Sequence, residues 1–172
     1  MRKRGDLLME VLDLYDEYGN KTGEKTERGK PIPKDRYFLI VDVWIRNSKK
    51  EYLISKRTPN TQPDPNKWQP TCGCAIEGDD SIAAAVREVR EELGISLDPK
   101  CGKRIIRFTA WGTAIIDVWI FEKEVCLCDI VYQAGETDDA MWAKSEEIIQ
   151  LLENDKFLSV ERIPYVRELE RV

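Results

Sequence analysis

The hydrophobic positions of the chain recur with two spacings, that of a β-strand and that of an α-helix. Most of them form short strand-like runs. Residues 37–45 (YFLIVDVWI) give the strongest strand signal. Other runs rich in β-branched and aromatic residues predict strands at 10–16, 21–25, 51–57, 104–109, 114–128 and 141–143. The turn signal at 16–20 indicates that the first two strands form an N-terminal β-hairpin within residues 1–30.

Three other segments carry helical signals. One apolar stripe recurs at helical spacing and consists of Ile82, Val86, Val89 and Leu93. It predicts a helix from about 80 to 93, with suitable N-caps at 79–81 and a glycine, Gly94, at its end. Two further helices are expected, one after the capping box at 145–147 and running to about 153, and one from about 160 to 171.

Two loops and the order of the elements indicate the fold class. Residues 58–71 contain four prolines and predict a long surface loop, and residues 133–139 predict an acidic loop. Strands and helices occur in mixed order, which fits an α/β protein with a mixed β-sheet between helices. Neither an internal repeat nor a linker interrupts the pattern, so we expect one domain over 1–172.

Composition excludes several classes of function. The net charge of -5 argues against a nucleic-acid polymer as the main partner. No apolar run suits a signal peptide or a membrane span, so the cytoplasm is the expected location, without a membrane partner. Histidine is absent, which excludes a Ser-His-Asp triad, a Cys-His dyad and a His-ligated zinc site.

The five cysteines are an odd number in a chain without a secretion signal, which suggests reduced thiols. Cys72 and Cys74 form one Cys-x-Cys pair, and Cys126 and Cys128 form another. Zinc binding is an alternative for these pairs, although zinc knuckles usually place two residues between their cysteines. Cys126 and Cys128 instead fit one face of the strand predicted at 114–128.

The most informative chemistry lies on the helix predicted at 80–93. Glu88, Glu91 and Glu92 are spaced i, i+3 and i+4, so their carboxylates share one face, away from the apolar stripe. Three adjacent acids repel one another unless a cation is held there, and oxygen ligands select a hard ion, Mg²⁺ or Mn²⁺. The alternative is a solvated helix with ion pairs such as Arg87 with Glu91.

The segment 73–95 resembles the signature of the Nudix hydrolases, G-x5-E-x7-R-E-U-x-E-E-x-G-U, where U is aliphatic. It reads GCAIEGDDSIAAAVREVREELGI, and every fixed position matches except Asp79, which replaces a glutamate. The resemblance implies a Nudix-like α/β/α sandwich with a metal-binding loop-helix-loop at 73–95. It also implies a hydrolase that uses Mg²⁺ or Mn²⁺ to cleave the diphosphate linkage of a nucleoside diphosphate derivative or similar small organic diphosphate.

The resemblance assigns catalytic and metal-binding roles by position. Glu92 matches the most constant metal ligand, Glu88 matches a ligand that in some members orients or deprotonates water, and Glu91 matches a further ligand. Arg87 matches an arginine that fixes the glutamates by ion pairing. Gly73 matches a glycine whose carbonyl can reach the metal.

Two other motif positions have structural roles in the family. Gly94 matches the turn residue after the helix. Asp79 stands where a glutamate usually braces the loop, and its side chain is one methylene shorter, which leaves its role open.

The rest of the site is expected outside the signature. Family members often add a carboxylate from a later loop as a metal ligand or base. Glu136 is the favoured candidate for this catalytic residue, ahead of Asp138 and Asp139. Arg57 is a candidate for phosphate contact. Trp68 is a candidate for substrate binding, with the alternative that it is a core anchor that pins the loop at 58–71.

A second resemblance concerns the branch of the family that contains isopentenyl-diphosphate isomerase. It rests on the strand pair before residue 37, the loop with Trp68, and Cys72 beside Gly73. Cys72 fits the cysteine of that isomerase, but Cys74 stands where a histidine would be needed. Isomerisation is therefore the alternative to hydrolysis, and a non-catalytic nucleotide-binding Nudix module is the third hypothesis. A homodimer is considered because dimers are common among relatives.

Overall fold

The computed structural model describes residues 10–159 and 163–171, which contain nine strands and two α-helices. The strands are β1 (Val11–Tyr15), β2 (Lys21–Glu27), β3 (Phe38–Arg46), β4 (Tyr52–Arg57), β5 (Trp68–Gln69), β6 (Thr71–Cys74), β7 (Lys103–Ala110), β8 (Ala114–Glu122) and β9 (Thr137–Ala143). The helices are α1 (Ser81–Leu93) and α2 (Ser145–Glu153), and 3₁₀ turns lie at Pro99–Cys101, Leu127–Asp129 and Val166–Arg171. Residues 1–9 of the segment predicted as a hairpin lie outside the described residues.

Strand β3 divides the interior into two cores. Leu39, Val41 and Val43 lie in the core shared with α1. Ile40 and Trp44 lie in the core on the opposite face of the sheet. Because side chains alternate along a strand, the apolar run at 37–45 supplies both layers at once.

The sheet is mixed because β3 pairs with one parallel strand and with two antiparallel strands. Along its whole length β3 pairs in parallel with β8, from Phe38 opposite Ala114 to Arg46 opposite Glu122. The other edge of β3 is shared by two antiparallel strands, β6 at residues 40–43 and β4 at residues 45–46. With β7 beside β8, and β5 and β9 beside β4, the sheet has seven strands, and β1–β2 form a separate hairpin.

Both faces of the seven-stranded sheet are covered. Helix α1 packs on one face, and α2 packs with the C-terminal segment on the other. In that segment the hydroxyl of Tyr165 donates a hydrogen bond to the buried carboxylate of Asp42 (2.7 Å) and accepts one from Nε1 of Trp44 (3.2 Å). These bonds hold the segment against β3, and the predicted α/β/α architecture with a mixed sheet is confirmed.

Helix α1 begins and ends at the residues that the sequence indicates. The Asp80 side chain caps its start by accepting a hydrogen bond from the Ala83 N–H (2.8 Å). Gly94 follows its last turn with φ of 70°, and its N–H donates to the Arg90 carbonyl. Within residues 10–159 and 163–171, no helix is long and apolar enough to span a membrane.

The strand predicted at 114–128 is too long. β8 ends at Glu122, and the chain then leaves the sheet and enters the 3₁₀ turn Leu127–Asp129. Cys126 and Cys128 consequently do not lie on a strand face. Their Cα atoms are 5.2 Å apart and their sulfur atoms are joined in a disulfide, so the prediction of reduced thiols is wrong for this pair.

Three other segments differ from the predicted pattern. The acidic loop is shorter than 133–139 because residues 137–139 already pair with β4 as part of β9. The proline-rich loop contains the short strand β5 and the start of β6. The C-terminal element forms a 3₁₀ turn at Val166–Arg171, and residues 160–162 of the predicted helix lie outside the described residues.

Replacing Gly94 with alanine is expected to destabilise the protein more than replacing Gly23. Both glycines have positive φ, 70° and 83°, so a Cβ costs each position about 1–2 kcal/mol. At Gly94 the new Cβ would also lie 2.9 Å from the Cβ of Val131, whereas at Gly23 nothing lies within 4 Å. Urea unfolding measures both variants, and equal losses in the free energy of unfolding would contradict this expectation.

Candidate active site

The acidic face of α1 lies against β6, and Gly73 is the point of closest approach. A Cβ built on Gly73 would lie 2.1 to 2.4 Å from the carboxylate atoms of Glu88. A side chain at this position would therefore displace the carboxylate, and only glycine leaves room for it. The side chain of Glu88 is 14% exposed as a result of this packing.

Arg87 connects the helix to the loop that precedes it. Its guanidinium pairs with Glu88 (2.8 Å) and Glu91 (3.1 Å) on α1 and with Asp79 (3.0 Å) in the loop. It also donates a hydrogen bond to the carbonyl of Cys74 (2.8 Å) at the end of β6. Although Asp79 is shorter than the glutamate of the signature, it still reaches the arginine, and so the loop is tied to the helix.

Glu92 has no such ion pair with a described residue. It is 4% exposed, and its Oε2 atom is buried without a hydrogen bond from any described residue. Burial, followed by the charges of Glu88 and Glu136, raises the pKa of Glu92 well above its usual value. Burial also raises the pKa of Glu88 to about 7, although Arg87 acts in the opposite direction. The two neighbouring carboxylates thus favour a ligand that brings positive charge.

An acidic pocket of about 310 Å³ opens over these glutamates. Helix α1 contributes Glu88, Glu91 and Glu92, and the loop before β9 contributes Gln133 and Glu136. Gln133 donates a hydrogen bond to the Glu136 carboxylate (3.1 Å), which holds that side chain at the pocket edge. The structure therefore brings Glu136 together with the helix glutamates, while Asp138 and Asp139 are not among the described lining residues.

Arg57 also lines the acidic pocket, but it is engaged with the neighbouring loop. Its guanidinium donates hydrogen bonds to the carbonyls of Pro63 (2.7 Å) and Asp64 (3.0 Å). A third bond goes to the side chain of Gln69 (2.8 Å). Arg57 thus fixes the loop at 62–64 beside the pocket, in addition to placing positive charge near Glu92.

Trp68 lies elsewhere. It is not among the described residues that line the acidic pocket, and it packs against the core on the α2 side of the sheet. Its N–H donates to the carbonyl of Lys156, and its carbonyl accepts from the N–H of Leu158. The position matches the alternative interpretation, an anchor that pins the loop, rather than a contact with substrate in this pocket.

Sequence reasoning did not name Thr61, Gln62, Gln69, Gln133 or Thr137 as site residues, and it also missed the two residues of the pocket wall that come from the N-terminal hairpin, Glu10 and Arg28. They form an ion pair of 2.6 Å at the end of the N-terminal hairpin. In the register of this hairpin, Val11 lies opposite Glu27, so the preceding and following residues meet. Exact bounds for β1 and β2 would have predicted that Glu10 and Arg28 pair. No local signal in the sequence indicated that this ion pair reaches the acidic pocket.

The donor set around α1 fits a hard divalent cation. Several carboxylate side chains line the acidic pocket together with Gly73, and one of their oxygens, Oε2 of Glu92, is buried without a hydrogen bond from any described residue. A tighter group of ligand side chains within the described residues consists of Cys126, Cys128 and Asp129, all within 4.8 Å of one another. Its two sulfur atoms are bonded to each other, so this group does not offer two thiolates to zinc.

The order of elements and the acidic helix agree with a comparison to known families. A family model described as NUDIX domain matches residues 36–170. The chain belongs to the Nudix family. An uncharacterised Nudix hydrolase of Listeria monocytogenes is 34% identical over 151 residues, which cover 87% of this chain and 89% of the relative. This Nudix chain is therefore an enzyme of the Nudix hydrolase class.

A solved structure and a partial relative add to the comparison. The crystal structure of DR0079 from Deinococcus radiodurans has a TM-score of 0.76 and 20% identity, covering 93% of this chain and 99% of that one. It shows that the two share a fold. An isopentenyl-diphosphate Delta-isomerase of Streptomyces coelicolor is 31% identical over 87 residues, which cover 50% of this chain and 44% of the isomerase. The similarity to the isomerase branch is thus partial.

The metal-free Nudix protein is expected to lose stability as the pH rises from about 5 to about 8. The pKa of Glu88 is about 7 in the folded state, against 4.5 for an ordinary glutamate. Between these values the folded state keeps a proton that the unfolded chain releases, so rising pH favours unfolding. The loss from Glu88 is about 2–3 kcal/mol and is complete above its folded pKa. The raised pKa of Glu92 also lowers the stability of the folded state as the pH rises.

Urea unfolding in a chelator at several pH values measures this loss. Glu88→Gln should flatten the slope, while Glu17→Gln, in the exposed turn of the hairpin, should leave it unchanged. Addition of Mg²⁺ at pH 8 should restore the stability that the wild-type protein loses in the chelator. An equal slope in the wild type and in Glu88→Gln would contradict the assignment.

Proposed function

We propose that this enzyme hydrolyses the diphosphate linkage of a nucleoside diphosphate derivative or similar organic diphosphate, with Mg²⁺ or Mn²⁺ at the α1 glutamates. The observation that carries the proposal is the Oε2 atom of Glu92, which is buried near Glu88 without a hydrogen bond from the part of the chain that the structure describes. Leaving such an atom unsatisfied is costly unless a cation contacts it. Membership in the Nudix family supports the reaction class.

The metal would be held by Glu92, Glu88 and Glu91, with the carbonyl of Gly73 as a further ligand. When bound, a divalent ion neutralises phosphate oxygens and lowers the pKa of a water molecule. The acidic pocket by itself repels a diphosphate, so the metal and the substrate are expected to bind together. Binding of the metal ion by these oxygen ligands is therefore the condition for binding of the substrate.

The surrounding residues of the chain would position the reacting groups. Arg87 holds Glu88 and Glu91 in fixed orientations, and Asp79 holds Arg87. Glu136 lines the same pocket from the loop before β9, close enough to raise the pKa of Glu92. A carboxylate at that place is suited to orient the attacking water and to accept its proton.

Isomerisation is the second candidate, and Cys72 is the observation in its favour. Cys72 lines the acidic pocket, with its sulfur 3.7 Å from the side-chain oxygen of Gln69. The chain contains no histidine to complete the isomerase site. The nearly intact signature, with its three glutamates on α1, favours hydrolysis over isomerisation and over a module that only binds nucleotides.

Glu92→Gln is expected to abolish Mg²⁺-dependent turnover of the wild type's best substrate in a panel of organic diphosphates. The substitution keeps the shape of the side chain and removes the charge that the metal requires, and the expected loss is at least about a hundredfold. Released phosphate products identify hydrolysis, whereas an allylic isomer without phosphate release identifies isomerisation. Equal inactivity of the wild type and Glu92→Gln on every compound would overturn both enzymatic proposals.

Glu136→Gln is expected to lower kcat by about two orders of magnitude or more, because the amide cannot accept a proton from water. Asp138→Asn is the matched control, since this acid lies two residues further along and is not among the described lining residues. Steady-state kinetics on the best substrate compare the two variants. A loss of less than about threefold in Glu136→Gln would reject its role as base.

A further inference from the structure

A separate cavity of about 380 Å³ lies at the start of α1, between this helix, the N-terminal hairpin and the strands β7 and β8. None of the described residues that line it also lines the acidic pocket. Glu88, Glu91 and Glu92 therefore contribute nothing to this cavity. Whatever binds in it is recognised by a different set of side chains.

Tyr15, the last residue of β1, lines this cavity, and its hydroxyl group has no hydrogen bond to any described residue. The residue is 5% exposed, and its hydroxyl oxygen is buried. A buried hydroxyl that makes no hydrogen bond is costly, because it has given up its contact with water. Burial, followed by the charge of Asp13, raises the pKa of Tyr15 to about 12, so the hydroxyl keeps its proton at neutral pH. It is therefore able to donate a hydrogen bond to a ligand.

Two arginines of β7 share a single carboxylate beside the cavity, and both of them line it. Asp117 is fully buried, and its two oxygens accept hydrogen bonds from Arg107 (2.6 and 2.7 Å). Arg104 lies 3.4 Å from the same carboxylate, and 43% of its side chain is exposed. Because the carboxylate neutralises only one guanidinium group, this arginine pair has an excess of positive charge.

The other acids near the cavity are already engaged. Asp13 pairs with Lys21 (2.7 Å), and Asp79 pairs with Arg87 (3.0 Å). Asp80 lines the cavity, but its carboxylate caps the first turn of α1, where the helix dipole favours a negative charge. The excess charge of the arginine pair is therefore left for a ligand, and it matches a ligand with a single negative charge.

The remaining walls of the cavity are mainly apolar. They include Leu39, Ile82 and the ring of Trp119. Nε1 of Trp119 donates a hydrogen bond to Oγ of Ser81 (2.9 Å), and that hydroxyl donates to the buried Asp117 (2.5 Å). The ring is thus held in one orientation. Such walls suit the apolar or aromatic body of an organic molecule, which a bare inorganic anion lacks.

We propose that this cavity binds a small organic carboxylate, whose apolar body packs against Trp119 and Ile82 and whose carboxylate contacts the Tyr15 hydroxyl and the arginine pair. A phosphate monoester is disfavoured because its second negative charge has no matching cation and meets Asp80 in the cavity wall. The site lies apart from the acidic pocket, and the inference does not depend on the proposed function.

An NMR titration of the full chain tests this site, with a chelator present to exclude binding through a metal ion. The probes are benzoate, 3-phenylpropionate and 4-methylpentanoate, each compared with its primary amide, which keeps the shape and removes the charge. At least one carboxylate should bind about tenfold or more tightly than its amide and than acetate, which has almost no apolar body. The backbone N–H signals of Gly19 and Ser81, both in the cavity wall, should shift on binding.

Tyr15→Phe is the decisive variant because it removes only a hydroxyl group that no described residue contacts. Its thermal stability should equal or exceed that of the wild type, while its affinity for the carboxylate should fall by about tenfold. Tyr18→Phe, at an exposed residue of the same hairpin, is the matched control and should leave the affinity unchanged. Arg104→Gln should also weaken binding by about tenfold, and it leaves the pair of Arg107 with Asp117 intact.

Glu92→Gln distinguishes this site from the acidic pocket, because it should bind the carboxylate as tightly as the wild type does. Loss of binding in that variant, or shifts confined to the walls of the acidic pocket, would overturn the inference. Carboxylates that bind no better than their amides, or an unchanged affinity in Tyr15→Phe, would overturn it as well. A clear loss of stability in Tyr15→Phe would show that the hydroxyl serves the fold instead. None of these results bears on the proposed hydrolysis, since neither metal nor diphosphate is present.

Discussion

The geometry of the acidic site depends on the guanidinium of Arg87. It joins two carboxylates of α1 to Asp79 in the preceding loop and to a carbonyl at the end of β6, so that three segments of the chain are held by one side chain. The same contacts partly offset the repulsion among the acids. They do not extend to Glu92, which is more deeply buried, and the cost of ionising its carboxyl group there without a cation is the physical basis of the proposed affinity for a divalent ion.

The parts of the structure that the sequence predicted well are those with strong local signals. Helix α1 has an apolar stripe, a capping aspartate at Asp80 and a terminal glycine at Gly94, and each signal acts within one or two turns. The segment 37–45 is apolar enough that burial on both faces follows from its composition alone. The spacing of Glu88, Glu91 and Glu92 placed them on one helix, and in the structure all three lie on α1.

The parts that were missed depend on contacts between distant segments. Residues 137–139 are acidic and resemble a loop, yet they pair with β4, because an edge strand can expose its polar side chains to solvent. The end of β8 at Glu122 has no breaker to mark it. Trp68 and Arg57 come from neighbouring strands, but only one reaches the pocket, since the other is held by the backbone of Lys156 and Leu158.

Glu10 and Arg28 belong to the hairpin at the start of the chain, and they precede residue 36, where the match to the family model begins. The glutamates of the proposed metal site and this part of the pocket wall therefore come from different stretches of the chain. After a gene duplication, one copy can accumulate changes in the hairpin and turn to a new metabolite while the helix with its glutamates stays under unchanged selection. Divergence of this kind would alter what the enzyme accepts before it altered how the bond is broken.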